Sequence, residues 1–72
     1  MDREKKSGPQ AQAAQARARA AELDRQAREI EQSAVPGNWR HRARVREAAS
    51  RLRLRAGAHL VEALRLEELA ER

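Results

Sequence analysis

Between Gln10 and Glu71 the chain has one segment where a helix has to stop, "AVPGN" at residues 34–38, and on either side of it alanine and leucine recur at alternating steps of three and four. Proline at 36 pushes Val35 out of the helical region, Pro-Gly favours a tight turn, and Asn38 is a good cap for a new helix. Upstream, residues 10–33 contain neither glycine nor proline and are rich in alanine, the best helix former. Ala13, Ala16, Ala20, Leu23, Ala27, Ile30 and Ala34 trace a packing seam along this run. Downstream, Val45, Ala49, Leu52, Ala56, His59, Ala63, Leu66 and Ala70 trace a second. The pattern predicts helix 1 over about 10–33, a turn at 34–38 and helix 2 over about 39–71, roughly 36 and 50 Å long at 1.5 Å per residue. Gly57 costs roughly 1 kcal/mol relative to alanine and is a candidate bend in helix 2. Proline at 9 suits the first turn of helix 1, and residues 1–9, charged and without periodicity, read as a disordered leader.

A linker this short returns the second helix antiparallel to the first. The expected fold class is therefore all-α: an antiparallel helical hairpin of two long helices. Alanine seams let two backbones approach closely but bury little area, so the hairpin alone is expected to be weak. Helix 1 offers only Leu23 and Ile30 as large seam residues. At 100° per residue, Leu60 and Leu64 widen the seam of helix 2 to one side, while Leu54, Ala58, Val61 and Leu69 form a stripe on its far side. One short partner helix cannot cover both. Each large apolar side chain left wet forgoes roughly 1.5–3 kcal/mol, so several of them rival the whole stability of a small domain. The expectation is self-association into a helical bundle or coiled coil, or docking on a larger protein, through Leu54, Leu60, Val61, Leu64, Leu66 and Leu69.

The chain's 72 residues make one domain at most, and one whose core is marginal without a partner. There is no cysteine, which excludes disulfides and thiolate metal sites. The start "MDREKKSGPQ" leads into no apolar run and carries early acids, features of neither a secretory signal nor a transit peptide. No window reaches the ~18 apolar residues of a membrane span. A soluble, cytoplasmic protein is expected. His41 and His59 stand eighteen residues apart with no carboxylate at ligand spacing, so no metal site is expected; His59 reads as a polar seam position that sets register. Ser7, Ser33 and Ser50 lack a base and an orienting acid, and no glycine-rich phosphate loop occurs. The reading is a non-enzymatic protein without cofactor or small-molecule substrate.

The charge pattern carries the functional expectation. Net charge is +5, and residues 39–55, "WRHRARVREAASRLRLR", hold seven arginines against one glutamate. On a helical projection the arginines form two ribbons, Arg40, Arg44, Arg51 and Arg55 on one side and Arg42, Arg46 and Arg53 on the other. Arginine pairs four residues apart repel, and only Glu47 offers local relief, to Arg44 and Arg51. Cations crowd the start of helix 2, and Glu62, Glu67, Glu68 and Glu71 crowd its end, the inverse of what the helix dipole favours. Something outside the helix must offset this. In an antiparallel hairpin, Glu22, Asp24, Glu29 and Glu31 lie beside the basic half of helix 2, while Arg17 and Arg19 lie toward its acidic tail. Two copies of helix 2 packed antiparallel offer the same complementarity. The acids of helix 1 that exceed its own Arg25 and Arg28 number two, too few for the basic segment, and about four charges remain.

That surplus is all arginine, which binds phosphate bidentately and stays ionised. The leading expectation is accordingly a self-associating binder whose arginine helix docks on nucleic acid, DNA or RNA, in a regulatory or architectural role. Trp39 is its one stacking platform, although packing across the hairpin base against Ile30 or Val35 suits it better. The absence of Asn, Gln or Thr among the arginines argues against base readout. The alternative is a protein-interaction subunit whose helix 2 packs on a larger protein, with charge setting orientation only. An anionic membrane surface ranks third, because a stripe made mostly of alanine inserts shallowly.

Overall fold

The computed structural model of the chain describes residues 8–71. It contains two helices, α1 at Pro9–Gln32 and α2 at Trp39–Ala70, folded against each other as an antiparallel hairpin. Gly8, extended, caps α1 through its carbonyl, which accepts from Gln12 N–H at 3.0 Å, and Pro9 opens the helix where its missing N–H costs nothing. The expected leader thus shortens at its end, and residues 1–7 lie outside the described residues.

The connection is built as its sequence dictates. Ser33 closes α1, its N–H reaching the carbonyls of Glu29 and Ile30 and its hydroxyl donating to the Ile30 carbonyl at 2.6 Å. Asn38 N–H donates to the Val35 carbonyl at 3.2 Å across Pro36 and Gly37. Gly37 has φ +85°, the left-handed value that the third residue of a type II turn requires and that glycine adopts without strain. Asn38 Oδ1 then accepts from His41 N–H at 3.1 Å, a side-chain cap on α2. The helix runs unbroken through Gly57.

Both seams face the interior. Ala13, Ala16, Ala20, Leu23 and Ala27 of α1 meet Val45, Ala49, Ala56 and Ala63 of α2, all buried. Leu66 packs on Ala13, Ala16 and Ala63, and Leu52 on Ala20, Leu23 and Ala56. His59 is half-buried in its seam position, with Nδ1 3.2 Å from Glu62 Oε1. Nearly all of the buried side chains are single methyl groups. Each contributes about 0.8 kcal/mol, against roughly 1.5–3 kcal/mol for a large aliphatic one. Close approach has been gained at the expense of area.

The outcome is a slab one helix thick. The principal extents are 55 × 24 × 11 Å, and the radius of gyration of 16.6 Å exceeds the ~11 Å of a compact domain of this length. With only two helices side by side, both broad faces and the outer edge of each helix are surface.

Candidate functional site

The helical repeat of 100° per residue distributes the basic segment of α2 around that slab. With Val45 and Ala63 pointing at α1, Arg42, Arg46 and Arg53 project to one broad face, here the paired face. Arg40, Arg44, Arg51 and Arg55 project to the opposite one. Leu54 and Val61 lie on the outer edge between them.

On the paired face two ion pairs cross the helix interface. Arg53 Nη2 donates to Glu31 Oε1 at 2.8 Å while Nη1 reaches Oε2, a fork-to-fork contact. Toward the other end Arg17 Nε and Nη2 donate to Glu67 Oε2 and Oε1, both at 2.7 Å. The Arg53 guanidinium, through its hydrogen bonds, holds the Glu31 carboxyl below the usual carboxylate range, and Arg17 does the same to Glu67. Asp24 adds to the field at Arg53. The complementarity expected between the acidic end of α1 and the basic half of α2 is thus present on this face. Glu31 also lines a shallow groove with Ala34, Arg42, Val45 and Arg46, so these two arginines share its neighbourhood.

Among the described residues the opposite face lacks such a link. Arg51 pairs along its own helix with Glu47 at 2.9 Å. Glu22, the acid of α1 nearest this face, is taken up by Arg25 and by Gln26, whose hydrogen bonds hold its carboxyl below the ordinary value. Arg55 lines a groove of about 350 Å³ with Arg19, Glu22, Leu23 and His59. Arg19 belongs to α1 and lay outside the expected site. Its signal is present in the sequence, since it borders the seam at Ala20 on the edge away from Arg17, but that edge matters only once the two helices are set face to face.

Of the seven arginines expected to hold an anionic partner, therefore, Arg51 and Arg53 are engaged by acids of this chain. Arg40, Arg42, Arg44, Arg46 and Arg55 make no ion pair with any described residue. Trp39 does not pack across the hairpin base. It is 65% exposed, and the Arg40 guanidinium lies over its ring at 5.4 Å. The reason is its azimuth: three residues after the turn proline, it projects away from α1, between Arg46 and the outer edge, rather than toward Ile30.

The apolar side chains divide similarly. Leu54 is 75% exposed, and Leu60, Val61, Leu64 and Leu69 are also exposed. Leu66 is partly buried, packed on Ala13, Ala16 and Ala63. Among the described residues no helix is long and apolar enough to cross a membrane. Fold and site together define an all-α helical hairpin with an arginine-rich flank. Compared with known proteins, the chain matches no protein-family model, no curated protein and no solved structure.

Proposed function

We propose that this protein is a small, non-enzymatic helical binder that self-associates and docks its arginine segment on nucleic acid, in a regulatory or architectural role. One observation carries the reading: five arginines of one helix, Arg40, Arg42, Arg44, Arg46 and Arg55, spread over about 22 Å of its length, make no ion pair with any described residue. Like charges at that density repel each other and oppose the helix dipole, and a polyanion relieves both. The exposed Trp39 adds a ring available for stacking. Binding of this kind is mainly to backbone phosphate, with little discrimination between sequences.

The test is a gel-shift titration with a generic DNA duplex and a structured RNA, at low and at moderate salt. A complex at micromolar protein in low salt that weakens steeply with added salt is expected. No complex with either at low salt refutes the proposal.

The exposure of Leu54, Val61 and Leu69 favours a second reading, a protein-interaction subunit whose α2 seats in a groove of a larger protein. It predicts that polar replacement of these three abolishes capture of that protein, while Arg51→Ala and Arg55→Ala change little.

A further inference from the structure

The two arginine ribbons look equivalent in a projection of α2 alone, but in the folded hairpin they are not. The ribbon of Arg42, Arg46 and Arg53 shares its face with the acids that α1 turns toward α2. Glu31 forks onto Arg53 and lines one groove with Arg42 and Arg46, and Asp24 acts on the same guanidinium. The ribbon of Arg40, Arg44, Arg51 and Arg55 shares its face with Glu47, paired to Arg51, with Glu62, which lies beside His59, and with Glu22 of α1, which is bound by Arg25 and Gln26; in Arg19 it gains a further cation across the groove at Arg55. Arg19 makes no ion pair with any described residue. The fold thus places both cross-helix ion pairs on one face, and on the other it sets a cation of α1, Arg19, beside a cation of α2, Arg55.

Resting on the nucleic-acid reading above, we infer that the protein contacts its polyanion through one broad face only, with Arg40, Arg44 and Arg55 of α2 and Arg19 of α1 meeting the backbone phosphates of a duplex. On the opposite ribbon Arg53 serves as counter-charge that fixes the hairpin through Glu31. Two features favour a duplex. The arginines of α2 are mounted on one continuous helix and so present a row, which suits a stiff partner carrying one charge per ~1.7 Å of axis. The one aromatic side chain, Trp39, stands at the end of the row with the Arg40 guanidinium over its ring, so no series of rings lines the arginines to take successive unstacked bases. Because phosphate is the shared ligand of duplex DNA and duplex RNA, the two are separate arms of the test.

The experiment compares charge-matched variants by fluorescence anisotropy, with labelled DNA and RNA duplexes of one length over a range of salt. Arg44→Gln with Arg55→Gln removes two charges from the proposed face, and Arg42→Gln with Arg46→Gln removes two from the other. Arg19→Gln and Arg28→Gln remove one each from α1, Arg28 projecting to the paired face. All six positions are exposed and helical, and a circular dichroism melt of each variant checks that the hairpin is kept. The expected result is that the Arg44/Arg55 variant binds at least tenfold more weakly and its salt slope falls by about two. The Arg42/Arg46 variant changes by less than threefold, and Arg19→Gln weakens binding more than Arg28→Gln does. Binding to one duplex type alone, with this same ranking, supports the face assignment and names the nucleic acid. Equal losses in the two double variants, or a larger loss for Arg42/Arg46, overturn the inference while leaving nucleic-acid binding in place. A wild-type chain that binds neither duplex overturns both.

Discussion

Replacing Leu54, Val61 and Leu69 together by glutamine removes the apolar character of the outer edge of α2 and of its continuation on one face, with little penalty in helix propensity. The size of the effect follows from exposure. These residues are 75%, 49% and 55% exposed, equivalent to nearly two large apolar side chains left in water, or roughly 3–5 kcal/mol per chain if a partner covered them fully. Two chains covering each other's edges draw on that amount twice. If only a third of it survives the entropy of association and imperfect packing, about 2–3 kcal/mol is at stake, a shift of roughly a hundredfold in dissociation constant. Sedimentation equilibrium across a wide range of loading concentrations reads this directly. Wild-type protein is expected to gain mass with concentration, and the triple variant to need about a hundredfold more. A wild-type chain that stays a folded monomer at the highest concentration, or a variant that associates as readily, refutes the reasoning.

Two further outcomes test the packing and the electrostatics. Gly57 is exposed, sits inside a continuous helix, and a methyl group added there meets nothing within 4 Å, so Gly57→Ala is expected to raise stability by about 0.5–1 kcal/mol in urea unfolding. Glu31 and Glu67 have folded-state values below the ordinary ~4.3 of an unfolded glutamate, so their contribution is complete above that value and is lost as pH falls through the lower folded one. The melting midpoint should accordingly be flat near neutrality and drop below about pH 4.5, with a shallower drop in a Glu31→Gln, Glu67→Gln variant; an unchanged acid limb in that variant contradicts the pairing.

The elements legible in the sequence are those fixed by local pattern. Alanine at steps of three and four marked both seams, and Pro36, Gly37 and Asn38 each did in the turn what their backbone chemistry requires. Leu66 was read both as seam and as free surface, since a projection of one helix does not reveal how far the neighbouring helix reaches. The distinction between the two arginine ribbons was hidden for a related reason. Whether Arg53 finds Glu31 depends on the axial register of two helices, which is set by the turn and by the fit of small side chains along the whole seam. The same holds for Arg19, whose neighbour Arg55 is distant in sequence. The outward placement of Trp39 depends on the azimuth at which α2 leaves the turn, and its hydrophobicity alone suggested burial.

The central claim is that arginines left unpaired by the fold are held for phosphate, and the salt dependence of binding to a DNA duplex tests it most directly. With Arg19, Arg40, Arg44 and Arg55 bounding the number of phosphates neutralised, a straight plot of log binding constant against log salt with a slope of about −3 to −3.6 is predicted. A slope near zero, or no binding at low salt, would contradict it.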